Sequence, residues 1–485
     1  MVQDTDNKVY EKQNIIRGVN MSEEHNNLSG ENLDAAAQTD SLKPNGPKDR
    51  TLGAAGYMSL WVGDGVNMGN MTLGASVVVA GMAILNIWQT IAAALIAIGI
   101  VSILFALNDR AGYKYGIPYV AHLKASFGEK GTLISSLLRA VPAVIWYGIQ
   151  SWIGGTALNE VFKILSGGAL DNVFLGFIIL LVVQILLSMK GFKSIKAVES
   201  VASVVLMGIV ITVFVILIKD HSAAISNTWI NTEGTWGIPF FAYIMVFLGN
   251  YAAIFLSAAD YSRELKTGYS DAKRGLLYFL PIIVAYGSVI VVGAMLASAT
   301  GYTNPALGLP ALFDNVYMQL FISVFIVFGA IAVNMVANIV TPTYVIQLFT
   351  KLNYKVSVTI TGLLAMGSFP WLLVQDDNAK GLDTFVQVYS AFLGPLIAIL
   401  IVEFYIMRKQ QIDIKELYKK GGNFDGVNYA ALLALGIGAA AAFLFVDLAW
   451  IIGFVVAGIV YPIISKTMFK GSRFKKDTIF EEEAK

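Results

Sequence analysis

Cysteine is absent from the 485 residues, and histidine occurs only at His25, His122 and His221. Without thiols there are no disulfides, thiolate nucleophiles or Cys-ligated metals. The histidines fall outside every apolar stretch long enough to cross a bilayer, which leaves no basis for a histidine metal centre or an intramembrane histidine relay. Charge is scarce too. Asp, Glu, Lys and Arg make up 14% of the chain, against about 25% in a soluble domain. At a net charge of +1 there is no basic field for nucleic acid. No ATP-binding motif is present, which removes primary transport.

What is there is apolar: 56% of the residues are hydrophobic. Windows of about 20 apolar residues give twelve spans, at about 54–80, 84–107, 132–162, 172–189, 195–218, 237–259, 277–299, 317–349, 355–373, 384–406, 428–445 and 448–467. The fold class is therefore an all-α polytopic membrane protein. Loops after even-numbered spans carry clusters such as Arg110, Lys114, Lys124 and Lys130, or Arg263, Lys266, Lys273 and Arg274. Loops after odd-numbered spans carry only Lys163, Lys219 and Lys380. This alternation predicts a multi-pass protein of the cell membrane with both termini in the cytoplasm. Residues 1–50 are polar, lack the apolar core of a signal peptide and read as a disordered cytoplasmic tail, with Met21 as an alternative start. Residues 51–470 form the transmembrane domain, and 471–485 a C-terminal tail.

One span breaks the pattern. SLWVGDGVNMGNMTLGASVVV, residues 59–79, packs Gly63, Asp64, Gly65, Asn67, Gly69 and Asn70 into about two helical turns. Glycines weaken a helix there, and a carboxylate and two amides are costly against lipid, so a cavity must face them. The expectation is a broken helix lining a binding site. Close helix packing through small residues accounts for the glycines but leaves Asp64 without a reason. If spans 1–5 and 6–10 are inverted repeats, span 6 is the counterpart of span 1, and its expected break is Gly249-Asn250. Spans 3 and 8 correspond likewise, with Trp146 and Gln150 on one and Asn334 and Asn338 on the other. Each pair is spaced i, i+4 and shares a helix face.

An aromatic ring one turn from a primary amide can stack a planar solute and bind its edge; the same pair also serves as interhelical glue. No Lys or Arg is expected in mid-membrane to pair with an anionic substrate. Neutral, flat, hydrogen-bonding solutes fit best. The segment 111–131 reads either as interfacial or as a solvated cytoplasmic loop. Asp260 with Arg263, and Glu403 with Arg408, read as boundary salt bridges. Glu199 is a candidate member of a cytoplasmic gate.

The stretches SLWVGDGVNMG (59–69), KYGIPYVAHLKASFG (114–128), LLRAVPAVIWYGIQSWIGG (137–155), ADYSR (259–263), NMVANIVTPTY (334–344) and GPLIAILIVEFYIMRK (394–409) resemble the nucleobase–cation symporter-1 family, which includes permeases for cytosine, uracil, allantoin, purines and hydantoins. The resemblance implies a leucine-transporter-like 5+5 inverted repeat with broken helices 1 and 6 plus two extra helices, and alternating access about a midplane site. It also implies roles: Trp146 stacks the substrate, Gln150 reads its edge, Asn338 hydrogen-bonds it, and Asn67 supplies an amide at the helix 1 break. Tyr251 stands where the family carries a second stacking tryptophan. In sodium-coupled relatives the ion sits between helix 1 carbonyls, here those of Gly63 and Val66, and helix 8 oxygens. Two helix 8 hydroxyl positions are Ala332 and Val333 in this chain, so Asp64 is the acid available to carry coupling, either as a proton carrier or as an ionised Na⁺ ligand. The expected function is import of a nucleobase or cyclic ureide by cation symport, H⁺ ahead of Na⁺. No cofactor is expected, and the partners are a small neutral planar substrate, a coupling cation and membrane lipid. Other readings are an amino-acid transporter of the same fold and a transport-dead sensor. An integral membrane enzyme would need an acid–base pair or a metal cluster, and the sequence offers neither.

Overall fold

The computed structural model describes residues 42–482 apart from 80, 191, 375–379, 470 and 471, with backbone alone for 79, 192–203 and 205. The expected tail over residues 1–41, and the side chain of Glu199, lie outside the described residues. The polypeptide is almost wholly helical, its only sheet among the described residues being the antiparallel pair β1 (Val78–Val79) and β2 (Met82–Ala83).

Span 1 is two helices, α1 (Ala54–Gly65) and α2 (Met68–Ala75). Span 2 is α3 (Ile87–Asn108), opened by a capping box of Asn86 and Gln89 that satisfies two otherwise orphaned N–H groups. The short helices α4 (Arg110–Tyr115) and α5 (Tyr119–Phe127) lead into span 3, α6 (Glu129–Leu165). Spans 4 and 5 are α7 (Val173–Ser188) and α8 (Phe192–Ile225). Span 6 comprises α9 (Ile238–Leu256) and α10 (Ala258–Ser262), and span 7 is α11 (Asp271–Thr300). Span 8 is α12 (Val316–Val333), a π turn over Asn334–Asn338, and α13 (Val340–Thr350). Then come α14 (Tyr354–Met366), α15 (Lys380–Ile401), α16 (Tyr429–Phe443) and α17 (Ala449–Met468). Among the described residues, eight helical stretches are long and apolar enough to cross a bilayer alone; the other expected spans are the broken first one and the shorter α7, α14 and α16.

Packing divides the spans into bodies. Span 1 packs on α11, and α3 packs on α9 and α11, so spans 1, 2, 6 and 7 form one group. Helix α6 packs on α7, α12, α13 and α14, which joins spans 3, 4, 8 and 9. Helices α15, α16 and α17 pack on one another. The site lies where the first two groups meet.

Two expectations change. Helix α9 runs unbroken through Gly249 and Asn250, and the interruption falls at Ser257 (φ −93°, ψ 23°). Gly249 serves proximity: a Cβ there would overlap the Ser390 hydroxyl of α15. Within segment 111–131, read as interfacial or as a solvated loop, every residue of α5 is buried, so that part is not a solvated loop. Part of the N-terminal stretch expected as tail is packed as well. Leu42 is buried, the Tyr418 hydroxyl donates to its carbonyl (2.8 Å), and the Asn45 N–H donates to the Gly116 carbonyl (2.8 Å).

Candidate functional site

The break in span 1 follows from its sequence. Helix α1 stops after Gly65, Val66 turns away (φ −87°, ψ 74°) and Asn67 is extended (φ −131°, ψ 158°). Asn67 then starts the second half: its Oδ1 caps α2 by accepting the Asn70 N–H at 2.8 Å. Asparagine is among the best residues for that task. Its Nδ2 donates to the Asp64 carbonyl (2.5 Å), while the Asn70 amide donates to the carbonyls of Gly65 (2.9 Å) and Asp64 (3.3 Å). Main-chain groups released by unwinding are thus met by the two amides that looked costly in a lipid-facing helix.

Around this break a buried cavity is lined by Asp64, Asn67, Asn70, Trp146, Gln150, Asn250, Tyr251 and Asn338, with Ala253, Ile254, Val333 and Ala337 as apolar wall. All five residues expected to meet a substrate, and Asp64, therefore converge. Gln150 Nε2 donates to Asn67 Oδ1 at 2.8 Å, joining span 3 to span 1. Gly69 is needed at this contact, because a Cβ there would collide with Gln150 Nε2 and the Trp146 ring. Trp146 is steered by its Nε1–H, which donates to the Tyr389 hydroxyl (3.3 Å), itself donating to the Gly249 carbonyl (3.0 Å). Asn250 Nδ2 donates to Asn70 Oδ1 (2.7 Å), tying span 6 to span 1. The Tyr251 hydroxyl is buried beside the Asp64 carboxyl. Gly63 and Val66 are buried at the end of α1, which packs on the π turn of span 8. On that side Ala332 and Val333, also buried, bring no side-chain oxygen.

Asn338 and Asn334 do different jobs although they share a face. Asn334 spends its Nδ2 on the Tyr147 carbonyl (3.2 Å), Ser151 Oγ (3.1 Å) and Gln184 Oε1 (3.3 Å), away from the cavity. Asn338 donates to Asn334 Oδ1 (2.9 Å) and faces the cavity. Both lie in the π turn, a distortion that recurs at functional sites.

The cavity lining holds no Lys or Arg, as expected for a neutral solute, but one charge lies close behind it. A cation is buried on the helix that carries the site's aromatic: Arg139, two turns before Trp146 on α6, is fully buried, though it does not line the cavity. Its Nε donates to Ser257 Oγ (3.2 Å) at the span 6 break and its Nη2 to the Ala337 carbonyl (3.1 Å) on span 8, while Nη1 has no partner. Hydropathy averaged over a window tolerates one charge, so only its place on the Trp146 face could have flagged it. Asn250 stands out in the sequence only as part of the expected span 6 break, and Tyr389 not at all, since their roles arise from contacts between spans. Asp260 is buried, accepting the Tyr119 N–H (2.7 Å) and the Thr341 hydroxyl (3.0 Å). Glu403 and Arg408 do pair (2.7 Å), but both are buried, with the Tyr461 hydroxyl on the second carboxylate oxygen (2.7 Å). A larger groove elsewhere, between Ile91, Ile98, Phe214 and Val291, is almost entirely apolar and offers little to orient a polar solute.

Comparison with known proteins agrees with this geometry. The chain is 28% identical over 472 residues to the allantoin permease of Bacillus subtilis (strain 168), covering 88% of this chain and 93% of that one. It is 25% identical over 391 residues to the hydantoin permease of Microbacterium maritypicum, 77% and 78% of the two chains. A solved nucleobase-cation-symport-1 family transporter, in a closed conformation with bromovinylhydantoin bound, superposes with a TM-score of 0.81 over 90% of this chain and 97% of its own, at 23% identity. That likeness shows the fold, the leucine-transporter-like helical architecture expected from the sequence. A profile described as permease for cytosine/purines, uracil, thiamine and allantoin matches residues 44–462, and the chain belongs to that family, the nucleobase–cation symporter-1 permeases, which are multi-pass membrane transporters and not enzymes.

Proposed function

We propose that this protein is a secondary active transporter of the cell membrane that imports a nucleobase or related cyclic ureide by cation symport, with both termini in the cytoplasm. The observation that carries the reading is the convergence of an indole, a phenol and amides from spans 1, 3, 6 and 8 on one buried cavity at a helix break. Such a site suits a flat, neutral, hydrogen-bonding ring: Trp146 and Tyr251 supply π-faces, and Gln150, Asn67 and Asn338 supply edge contacts. Asp64 carries the coupling proton beside Gly63 and Val66. Support for H⁺ over Na⁺ comes from Ala332 and Val333, since a dehydrated Na⁺ needs several oxygen ligands and these positions provide no side-chain oxygen. The relatives' names, allantoin and hydantoin permease, support the substrate class.

Uptake by the purified protein in vesicles tests the reading. Labelled uracil, allantoin or hydantoin should accumulate above the external concentration, with unlabelled members of that set competing and leucine not. Accumulation of leucine alone would replace the substrate class, and absence of any accumulation would leave a sensor.

A further inference from the structure

Building on the ring-binding reading, we propose that two relays anchored on the main chain lock the Gln150 and Asn338 amides with their oxygens toward the cavity, so that the site selects rings carrying two N–H donors on their edge. Which end of an amide faces a ligand is ordinarily decided by its other partners. Here the decision can be followed back to groups that cannot flip. The Asn70 N–H is a donor only, so the atom that meets it at 2.8 Å is Asn67 Oδ1. The same oxygen meets the Gln150 amide at 2.8 Å, which requires Nε2 on that side. Gln150 Oε1 is thereby turned away from Asn67, and it is buried with no partner. A flipped Gln150 would set oxygen against oxygen.

The second relay starts from an acceptor. The Tyr147 carbonyl requires Asn334 to present Nδ2, at 3.2 Å. Asn334 Oδ1 is then left for Asn338, whose Nδ2 meets it at 2.9 Å. No donor among the described residues meets Asn338 Oδ1, and Asn338 lines the cavity. The two relays begin on different helices and end on different spans, so the polarity of the site is set twice by backbone geometry.

Two fixed acceptors reject a ligand edge that offers ring nitrogens without hydrogens, or N-alkyl groups, because an acceptor buried without a donor is costly. Sites built on buried hydrogen bonds discriminate far more strongly than apolar pockets. The selected class is the ring containing a –NH–CO–NH– unit, which offers both donors.

Binding of two methyl series to the purified protein tests the lock. One is uracil with its 1-, 3-, 5- and 6-methyl derivatives, and the other is hydantoin with its 1-, 3- and 5-methyl derivatives. Each N-methyl compound should bind tenfold or more weaker than its parent, while at least one C-methyl isomer of equal volume in each series stays within threefold. Asn67→Ala, which frees Gln150 to turn, should narrow the N-methyl penalty. Asn67→Asp, which retains an acceptor for both Asn70 and Gln150, should preserve it. N-methyl compounds binding within threefold of their parents would overturn the lock while leaving the ring site in place. Failure of every ring in both series to bind would remove the ring-binding reading and the lock with it.

Discussion

Individual side chains at the site divide sharply by how visible they are in the sequence. Trp146 and Gln150 could be paired because a helix repeats its faces every three to four residues, whereas Asn338 was separable from Asn334 only through the family resemblance. Asn67 and Asp64 could be read because polar groups inside an apolar run need a reason. Asn250, Tyr389 and Arg139 could not, because what defines them is a partner on another span: Asn70, Trp146 and the pair of Ser257 and Ala337. Replacing Trp146, Gln150 or Asn338 by Ala should weaken substrate binding by about 1–3 kcal/mol each, the range for a lost buried hydrogen bond or stack. Calorimetry on variants that insert normally checks this, and unchanged affinity in all three would remove the site.

His122 gives a residue-scale outcome of another kind. Both ring nitrogens are buried without a partner on α5, and burial lowers its pKa to about 4, from an ordinary value near 6.5. Between those values the unfolded chain holds one more proton than the folded one, so stability rises with pH across the window and is complete above about 6.5. The full effect is about 3 kcal/mol, from 1.36 kcal/mol per unit. The melting temperature should fall as pH drops from 6.5 toward 4, and His122→Gln should flatten that slope. An equal slope in wild type and variant would assign the loss to other groups.

Whole helices were legible through hydropathy, and their interruptions were legible only where the sequence offered a cap. In span 1 the break coincides with Asn67, a residue able to start a helix anew. In span 6 the expected break at Gly249 is absent because that glycine makes room for α15. The true break at Ser257 is held by partners far away in sequence. Arg139 binds Ser257 and the Ala337 carbonyl, the Tyr261 hydroxyl donates to the Val336 carbonyl (3.0 Å), and Asp260 accepts from Thr341. Together they pin α10, in the group of spans 1, 2, 6 and 7, onto spans 3 and 8 of the other group, contacts that the proposed alternating access would have to break. Hydrogen bonds to a charged group contribute about 1.5–3 kcal/mol each, so Arg139→Gln should change the closing equilibrium more than ligand contacts. Initial uptake should fall at least tenfold while substrate affinity in detergent changes less than threefold. Loss of both in proportion would make Arg139 a part of the binding site itself.

At the scale of the whole molecule, the charge pattern predicts an orientation that can be tested directly. Because the chain has no cysteine, a single introduced thiol is its own reporter. Cysteines at Ala169 and Lys380 should react with an impermeant reagent added outside cells, and cysteines at Lys193 and Lys415 should not. The reverse pattern would overturn the span assignment from the first loop onward.

Coupling decides what the molecule does as a machine. With Ala332 and Val333 closing the span 8 side of the break and Asp64 buried beside it, substrate movement should be driven by protons through Asp64. The direct measurement is uptake of a transported ring into vesicles under an imposed pH gradient or an imposed Na⁺ gradient, each alone, for wild type and Asp64→Asn. Proton coupling through Asp64 requires wild-type accumulation under the pH gradient, none under Na⁺ alone, and loss of accumulation with exchange retained in Asp64→Asn. Accumulation that follows Na⁺ and ignores pH would contradict it.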